Sequence, residues 1–205
     1  MKRGFWTIIV SFSLLFAFDV AALLAGGPLR VSGNGTPARW SVDEPVLWNP
    51  DQGGLGKLSN AEAVQIVVDS FQAWADIETA ALTFQQGDPL PSDVTAQNYR
   101  RFFRCGDRLT PVVFDEDGSI FEDIYGQGSA QLILGFASPS CIDGDTIVEG
   151  VAFINGMAID GDFGNGESTH DDLVLTIIHE LGHMLGLAHS QVNGTAYSLY
   201  RGIKG

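Results

Sequence analysis

The stretch "HELGHMLGLAH", residues 179–189, decides how this chain is interpreted, because it holds three of the four histidines. Residues four apart on a helix lie on the same face, so His179 and His183 can present two imidazoles to one point. Gly186 can end that helix, since glycine tolerates the backbone angles that a helix end requires. His189 would then approach the same point from a loop.

This arrangement predicts a catalytic zinc site. Three imidazoles leave one of the four zinc positions open, as catalytic sites do and structural sites do not. Glu180 is adjacent to His179 and cannot easily bind the metal with it, so we expect its carboxylate to take a proton from a zinc-activated water. A chance match to the complete pattern is on the order of one in 10⁴ in a chain of this length. His170 breaks the spacing and is predicted to be a helix-start residue, with a second metal site as the alternative.

The pattern HExxHxxGxxH is the signature of metzincin zinc peptidases, and "HELGHMLGLAHS", ending at Ser190, resembles their matrixin branch. The segment "AVQIVVDSFQAWADIETAALTF" at 63–84 is similar to the matrixin first helix and first strand. The resemblance covers roughly residues 40–190. It implies a zinc endopeptidase that cleaves protein or peptide substrates, with His179, His183 and His189 as zinc ligands and Glu180 as general base. It also implies a sheet-edge strand that binds extended substrate, for which "GVAFIN" at 150–155 is the candidate.

The remaining pattern predicts one mixed α/β domain, a metzincin-like twisted mixed sheet with a long packing helix and a zinc-site helix. The long helix begins with a capping box from Ser59 to Glu62. Its apolar face is predicted to contain Val64, Val67, Val68, Phe71, Trp74 and Ala75. The zinc-site helix is predicted to start at Ser168 or Thr169 and to reach about Gly186. Short apolar runs predict strands: "EPVLWN" at 44–49, "ALTF" at 81–84, "PVVF" at 111–114, "QLILGFA" at 131–137 and "TIVEGVAFIN" at 146–155.

The first 25 residues are predicted to be a signal peptide, which leaves residues 26–205 as the matrixin-like catalytic domain. Lys2 and Arg3 precede an apolar run from Trp6 to Phe18. That run is shorter than the roughly 20 residues that span a bilayer, but it suits a signal-peptide core. We therefore expect a secreted protein, extracellular or periplasmic, without stable membrane association after cleavage. An uncleaved N-terminal anchor is the alternative.

The charge excludes nucleic acid as a partner. Signal cleavage removes Lys2, Arg3 and Asp19, so the formal net charge moves from −14 to −15. A chain this acidic is repelled by nucleic acid and by anionic lipid.

Two cysteines, Cys105 and Cys141, predict a disulfide, because an exported chain meets oxidising conditions. Two free thiols, or a zinc ligand from Cys105, are the alternatives. The segment "FRCGD" at 103–107 is superficially similar to the cysteine switch by which matrixin propeptides block zinc. It lies inside the predicted domain and lacks the flanking prolines, so we do not expect a switch.

Two acidic loops invite a calcium interpretation, "DEDG" at 115–118 and "DGDFGNGE" at 160–167. Both group carboxylates around glycines, as calcium loops do, although neither matches the EF-hand pattern. The first is predicted to be a turn. For the second, a bound Ca²⁺ and a solvated turn stay open.

One feature of the metzincins is missing, the methionine turn that follows the third histidine. The methionines here are Met1, Met157 and Met184, and all precede His189. Either Leu199 in "SLY" at 198–200 replaces that methionine, or the chain ends before the turn. We favour truncation, because the final matrixin helix has no counterpart either. Two functions stay open: a secreted zinc endopeptidase, and a non-catalytic exported zinc-binding protein with a degenerate protease fold.

Overall fold

The computed structural model describes residues 27–33 and 35–189 of the chain. The predicted signal peptide, Ser190 and Leu199 lie outside these residues. The α-helices are α1 (Asn60–Ala75), α2 (Ser119–Tyr125) and α3 (His170–Met184). The strands are β1 (Arg39–Trp40), β2 (Val46–Pro50), β3 (Phe84–Gln86), β4 (Pro111–Asp115), β5 (Gly135–Asp143) and β6 (Thr146–Asn155). Within the described residues, no helix is long and apolar enough to cross a bilayer.

The strands form one mixed sheet in the order β1-β6-β4-β2-β3, with β5 added on β6. β5 runs antiparallel to β6, and the other pairs are parallel. β6 has β5 along one side and both β1 and β4 along the other. β1 pairs with the start of β6 and β4 with its end, while β5 pairs with β6 over nearly its whole length. The prediction that residues 150–155 form an edge strand is therefore wrong, since β6 is internal. β5 is the edge strand beside it.

The strand predictions were best where both faces of a strand are buried. β6 has the predicted bounds, and β4 begins at the predicted Pro111. In contrast, only the last three residues of "QLILGFA" belong to β5, and only Phe84 of "ALTF" belongs to β3. Leu132 is 84% exposed and Leu134 is 40% exposed, so these two leucines lie at the surface, whereas Ile133 and Phe136 pack against the core. Apolar content alone could not show that difference.

The capping box of α1 is present as predicted. Ser59 Oγ accepts a hydrogen bond from the Glu62 N–H, and the Glu62 carboxylate accepts one from the Ser59 N–H. The buried face consists of Ala63, Ile66, Val67, Ser70 and Phe71. Val68, predicted on the apolar face, is 37% exposed and lies outside the buried face. The buried positions repeat at spacings of three and four from Ala63, and residue 68 falls outside that stripe.

Apolar layers cover both faces of the sheet. α1 and α3 pack on one face with Val112, Phe114, Ala152 and Ile154. α2 and the short 3₁₀ helix Tyr99–Phe103 pack on the other face with Val113, Val151 and Phe153. Successive residues of β4 and β6 thus alternate between the layers, as side chains do along a strand. The mixed sheet, long packing helix and histidine-bearing helix confirm the predicted fold class.

Candidate metal centre

The three histidines of the 179–189 stretch converge on one point. The Nε2 atoms of His179 and His183 lie 3.0 Å apart. His189 Nε2 lies 3.1 Å from that of His179 and 3.0 Å from that of His183. His179 and His183 are one turn apart on α3, whereas His189 belongs to the segment that follows the helix. The three side chains form one potential metal-binding group, as their spacing predicted.

The end of α3 turns the chain back toward the helix, which brings His189 into the group. Gly186 has φ +97°, a left-handed conformation that favours glycine. The Gly186 N–H donates to His183 O, and the Leu187 N–H donates to Gly182 O. These two bonds are the Schellman pattern for a helix end. The predicted role of Gly186 is confirmed, although α3 itself ends two residues earlier, at Met184.

A backbone contact orients the ring of His183. Its Nδ1 lies 2.7 Å from Leu187 O. A carbonyl oxygen can only accept, so Nδ1 is the donor, and in the neutral ring this leaves the Nε2 lone pair directed at the centre of the group. Metal-binding histidines are usually held in this way through their second ring nitrogen.

The donor set fits a zinc ion. Three ring nitrogens separated by 3.0 to 3.1 Å cannot all satisfy one another by hydrogen bonds. Their separation is compatible with one metal ion bound to all three nitrogens at roughly 2.0–2.1 Å, the usual distance between zinc and imidazole nitrogen. Burial lowers the pKa of His179, and the charges of His183 and His189 lower it further. A lowered pKa keeps His179 in the neutral form that can bind a metal.

Glu180 lies against the edge strand. It is 8% exposed, and its carboxylate accepts a hydrogen bond from the backbone N–H of Ala137 in β5. Burial raises the pKa of Glu180, while the charge of His183 and the Ala137 hydrogen bond act in the opposite direction. A buried carboxyl group with a raised pKa, next to a histidine cluster, is a candidate for proton transfer.

Gly135 is a site residue that the sequence prediction missed. A Cβ atom added there would lie 2.8 Å from Glu180 Cγ, so the glycine makes room for that side chain. A glycine within a strand often marks such a close approach. That signal was present in "LGFA", but it did not reveal which residue approaches.

A groove of about 580 Å³ runs along α3 and the start of β5. Its polar lining includes His179, Glu180 and Asp172, and its apolar lining includes Leu132, Leu134 and Leu175. The Leu175 side chain is 64% exposed. The groove can therefore receive an apolar group directly beside the carboxylate.

His170 is the first residue of α3, as predicted. Its side chain is 65% exposed, and its Nδ1 lies 3.8 Å from the Asp171 carboxylate. Thr169 caps the helix through a reciprocal capping box with Asp172. His170 does not belong to the group formed by the other three histidines.

The predicted disulfide between Cys105 and Cys141 is present, so Cys105 is neither a free thiol nor a zinc ligand. The N–H groups of Gly106 and Arg108 donate to the Glu149 carboxylate at 2.8 and 2.7 Å. Phe102, just before this loop, packs on the sheet face opposite α3. Residues 103–107, here named the cysteine loop, thus lie away from the histidines.

The first acidic loop is a turn, as predicted. Asp115 is 2% exposed, and its carboxylate accepts hydrogen bonds from the N–H groups of Ile120 and Phe121 at the start of α2. In the second loop, the Glu167 carboxylate pairs with Lys57 and accepts a hydrogen bond from the Gly161 N–H at 2.9 Å. Calcium in the second loop stays a prediction, and Lys57 already supplies one positive charge there.

The sequence model of the matrixin family matches residues 51–204. No curated protein and no solved structure matches the chain significantly. The matched segment includes α1, β3–β6 and the whole stretch that brings the three histidines together. This chain therefore belongs to the matrixin family of metallopeptidases.

Proposed function

We propose that this protein is a secreted zinc-dependent endopeptidase that hydrolyses peptide bonds in protein or peptide substrates. One observation carries the proposal: three Nε2 atoms converge to within 3.1 Å beside a buried carboxylate at the edge of the sheet. Family membership supports the general class of activity.

His179, His183 and His189 would hold the zinc ion. When bound, zinc supplies Lewis acidity, which polarises a peptide carbonyl and lowers the pKa of water. His183 is the most firmly oriented of the three ligands, through its bond to Leu187 O.

Glu180 would act as the general base and then as the general acid. Its raised pKa makes the carboxylate a stronger base than an exposed glutamate. It accepts one proton from the attacking water as the new carbon–oxygen bond forms. It then delivers that proton to the amine nitrogen as the carbon–nitrogen bond breaks, so the carboxylate is regenerated.

β5 is the strand that would bind the substrate backbone, in place of the wrongly predicted residues 150–155. In the described part of the chain, β6 pairs with one side of β5 and no strand pairs with the other. An extended peptide can add to such an edge by backbone hydrogen bonds. Ala137 and Gly135 contact Glu180 from this strand, so a peptide there would pass the proposed base. The leucine-lined groove would receive an apolar side chain of the peptide.

We also propose that residues 1–25 direct export and that residues 26–205 make up the catalytic domain. The basic and apolar character of the first residues supports export. The Cys105–Cys141 disulfide supports it independently, because disulfides persist mainly in oxidising compartments.

Glu180→Gln tests the mechanism. The variant should retain one equivalent of zinc, because the three histidines are unchanged. Its cleavage of an unfolded protein should fall by at least roughly 10²- to 10⁴-fold, the usual contribution of a general base. Zinc content and chelator-sensitive cleavage are measured on the same purified samples.

Two histidine variants serve as controls. His183→Ala should lose zinc after dialysis, whereas the exposed His170→Ala should retain both zinc and activity. If Glu180→Gln cleaved the substrate as fast as the unchanged protein, Glu180 would not be the general base. Zinc binding without cleavage by the unchanged protein would favour the non-catalytic alternative.

A further inference from the structure

Residues 27–29, here named the N-terminal clip, pair directly with the segment that carries His189. The Leu29 N–H donates to Gly186 O, and the Ala188 N–H donates to Gly27 O, both at 2.7 Å. Between these bonds, Pro28 and Leu187 form an antiparallel bridge. The clip thus contacts the chain up to the residue immediately before His189.

The clip is itself anchored to the sheet. It leads into a small hairpin in which the Ala38 N–H donates to Arg30 O at 2.9 Å, and Val31 bridges Pro37. The hairpin continues into β1, which pairs with the start of β6. The clip therefore connects the His189 segment to the rigid sheet.

β1 also holds the end of the histidine helix. The Trp40 indole N–H donates to Met184 O, the carbonyl of the last residue of α3, at 3.1 Å. A Cβ atom added at Gly186 would lie 3.4 Å from Ala38 O, so the turn passes close to the strand. Hairpin and strand together enclose the turn after α3.

Among the residues that the structure describes, few other contacts hold the His189 segment. Leu187 is 36% exposed and His189 is exposed, so apolar burial contributes little there. The Leu187 backbone bonds back to Gly182 and His183, which fixes the start of the segment. Beyond Leu187, the Ala188 N–H bond to Gly27 is the backbone contact nearest to His189 among those of the described residues.

From these contacts we infer that the N-terminal clip is a positioning element for the third zinc ligand and thereby controls zinc affinity. The inference rests on the zinc site of the proposed function. With the clip paired, His189 is already held near the other two imidazoles before metal binds. Without the clip, zinc binding must also order the His189 segment, and that ordering weakens the affinity.

Leu29→Pro is the variant that tests the clip, because proline removes the N–H that bonds to Gly186 O. Leu29→Ala is the matched control, since it shortens the same side chain and keeps the N–H. Zinc affinity is measured on the whole exported protein by competition with a coloured chelator, and metal-free thermal unfolding is followed in parallel. Loss of an outer contact to a metal ligand typically costs 10- to 100-fold in affinity.

We expect Leu29→Pro to bind zinc roughly 10- to 100-fold more weakly, with the metal-free protein still folding cooperatively. Leu29→Ala should bind zinc as the unchanged protein does. Unaltered affinity in Leu29→Pro would overturn the inference, and so would an equal loss in both variants.

A cross-link provides a second test that does not depend on the proline variant folding. Pro28 and Leu187 face each other between the two hydrogen bonds, the close type of antiparallel pair, with Cα atoms about 4.5 Å apart. A disulfide from Pro28→Cys and Leu187→Cys should therefore form, retain zinc affinity and slow zinc release. Introduced with Leu29→Pro, it should restore the affinity. A cross-linked protein that binds zinc tenfold more weakly would contradict the inference.

These outcomes separate the clip from the proposed activity. The unchanged protein could bind zinc without cleaving peptide, and Leu29→Pro could still weaken that binding. This result would support the role of the clip and contradict the proposed peptidase activity. If His183→Ala leaves zinc affinity unaltered, both the three-histidine site and the clip are wrong.

Discussion

Asp51 is a buried carboxylate that joins distant parts of the chain. It is 1% exposed, and its oxygens accept hydrogen bonds from the N–H groups of Gln52, Val94 and Phe114. Burial nevertheless outweighs these bonds and raises the pKa of Asp51 to about 6. The pKa of Asp115 is likewise raised to about 6 by burial. Both groups lie far from the histidines in sequence, and neither has a role in the proposed chemistry.

These two carboxyl groups predict how stability depends on pH. Their pKa is about 6 in the folded protein against an ordinary aspartate value of 3.8, so the folded state holds protons that the unfolded state releases. Their contribution is present near pH 4 and is lost as the pH rises through 6. Each shift corresponds to at most about 3 kcal/mol of unfolding free energy. The exposed carboxyls with lowered pKa, such as Glu62 and Asp172, act below this window and in the opposite direction.

Urea unfolding of the zinc-free His183→Ala variant at pH 4.5 and pH 7 checks this prediction without a contribution from the metal. The free energy of unfolding should be lower at pH 7. Asp51→Asn in the same background should reduce the difference between the two pH values, because one titrating group is removed. The lowered pKa of His179 acts in the opposite direction in this range, so the comparison with Asp51→Asn is decisive. A pH difference that Asp51→Asn leaves the same or enlarges would contradict the prediction for Asp51.

At the scale of elements, α1 supports the histidine helix from behind. Gly182 of α3 approaches α1 so closely that an added Cβ would lie 2.8 Å from Trp74 Cζ2. The Trp74 indole N–H also donates to Ile178 O at 2.9 Å. Both contacts are next to a proposed zinc ligand in sequence. The position of α3 on the sheet therefore depends on its contact with α1.

Gly182→Ala should destabilise the protein, although alanine favours a helix over glycine by about 1 kcal/mol. Overpacking at the Trp74 contact should cost about 1–3 kcal/mol and exceed that gain. Urea unfolding of Gly182→Ala, Trp74→Phe and the double variant measures the coupling. The smaller phenylalanine ring should relieve the overlap, so the double variant should lose less than the sum of the two single losses. Strict additivity would mean that the two residues do not press on each other.

The boundaries of several elements follow from local sequence, whereas their exposure does not. Ser59 and Thr169 cap α1 and α3 through bonds that span three residues, so a short pattern identifies them. α2 has only seven residues and lies in a connector where no strong periodicity marks it. The exposure of Leu132 depends on what packs nearby, and apolar character alone does not report that.

At the scale of the whole molecule, the Cys105–Cys141 disulfide ties the connection before β4 to the edge strand. The two cysteines are 36 residues apart, so the loop-closure model gives about 4 kcal/mol of stabilisation. The Cys105→Ser/Cys141→Ser double variant should therefore unfold more easily by about 2–4 kcal/mol. Because the cysteine loop lies across the sheet from the histidines, zinc affinity should change little. Urea unfolding and chelator competition test the two statements, and a selective loss of zinc affinity would contradict the second.

The sequence by itself determined which histidines meet at the candidate metal centre. The histidine spacing, the adjacent Glu180 and the helix-ending Gly186 specify their arrangement within eleven residues, where helix geometry and one turn decide which atoms meet. The disulfide and the bounds of β6 could also be predicted from the sequence. The disulfide follows from the presence of two cysteines in a chain expected to be exported, and β6 from a continuous apolar run.

Only the tertiary structure decided what surrounds that site. It placed β5 and not β6 at the sheet edge, brought Gly135 against Glu180, and paired Gly27 and Leu29 with the segment before His189. Each of these contacts joins residues that are tens of residues apart or more. Strand neighbours and chain pairing are selected by the packing of the whole sheet, so no local periodicity in the sequence records them.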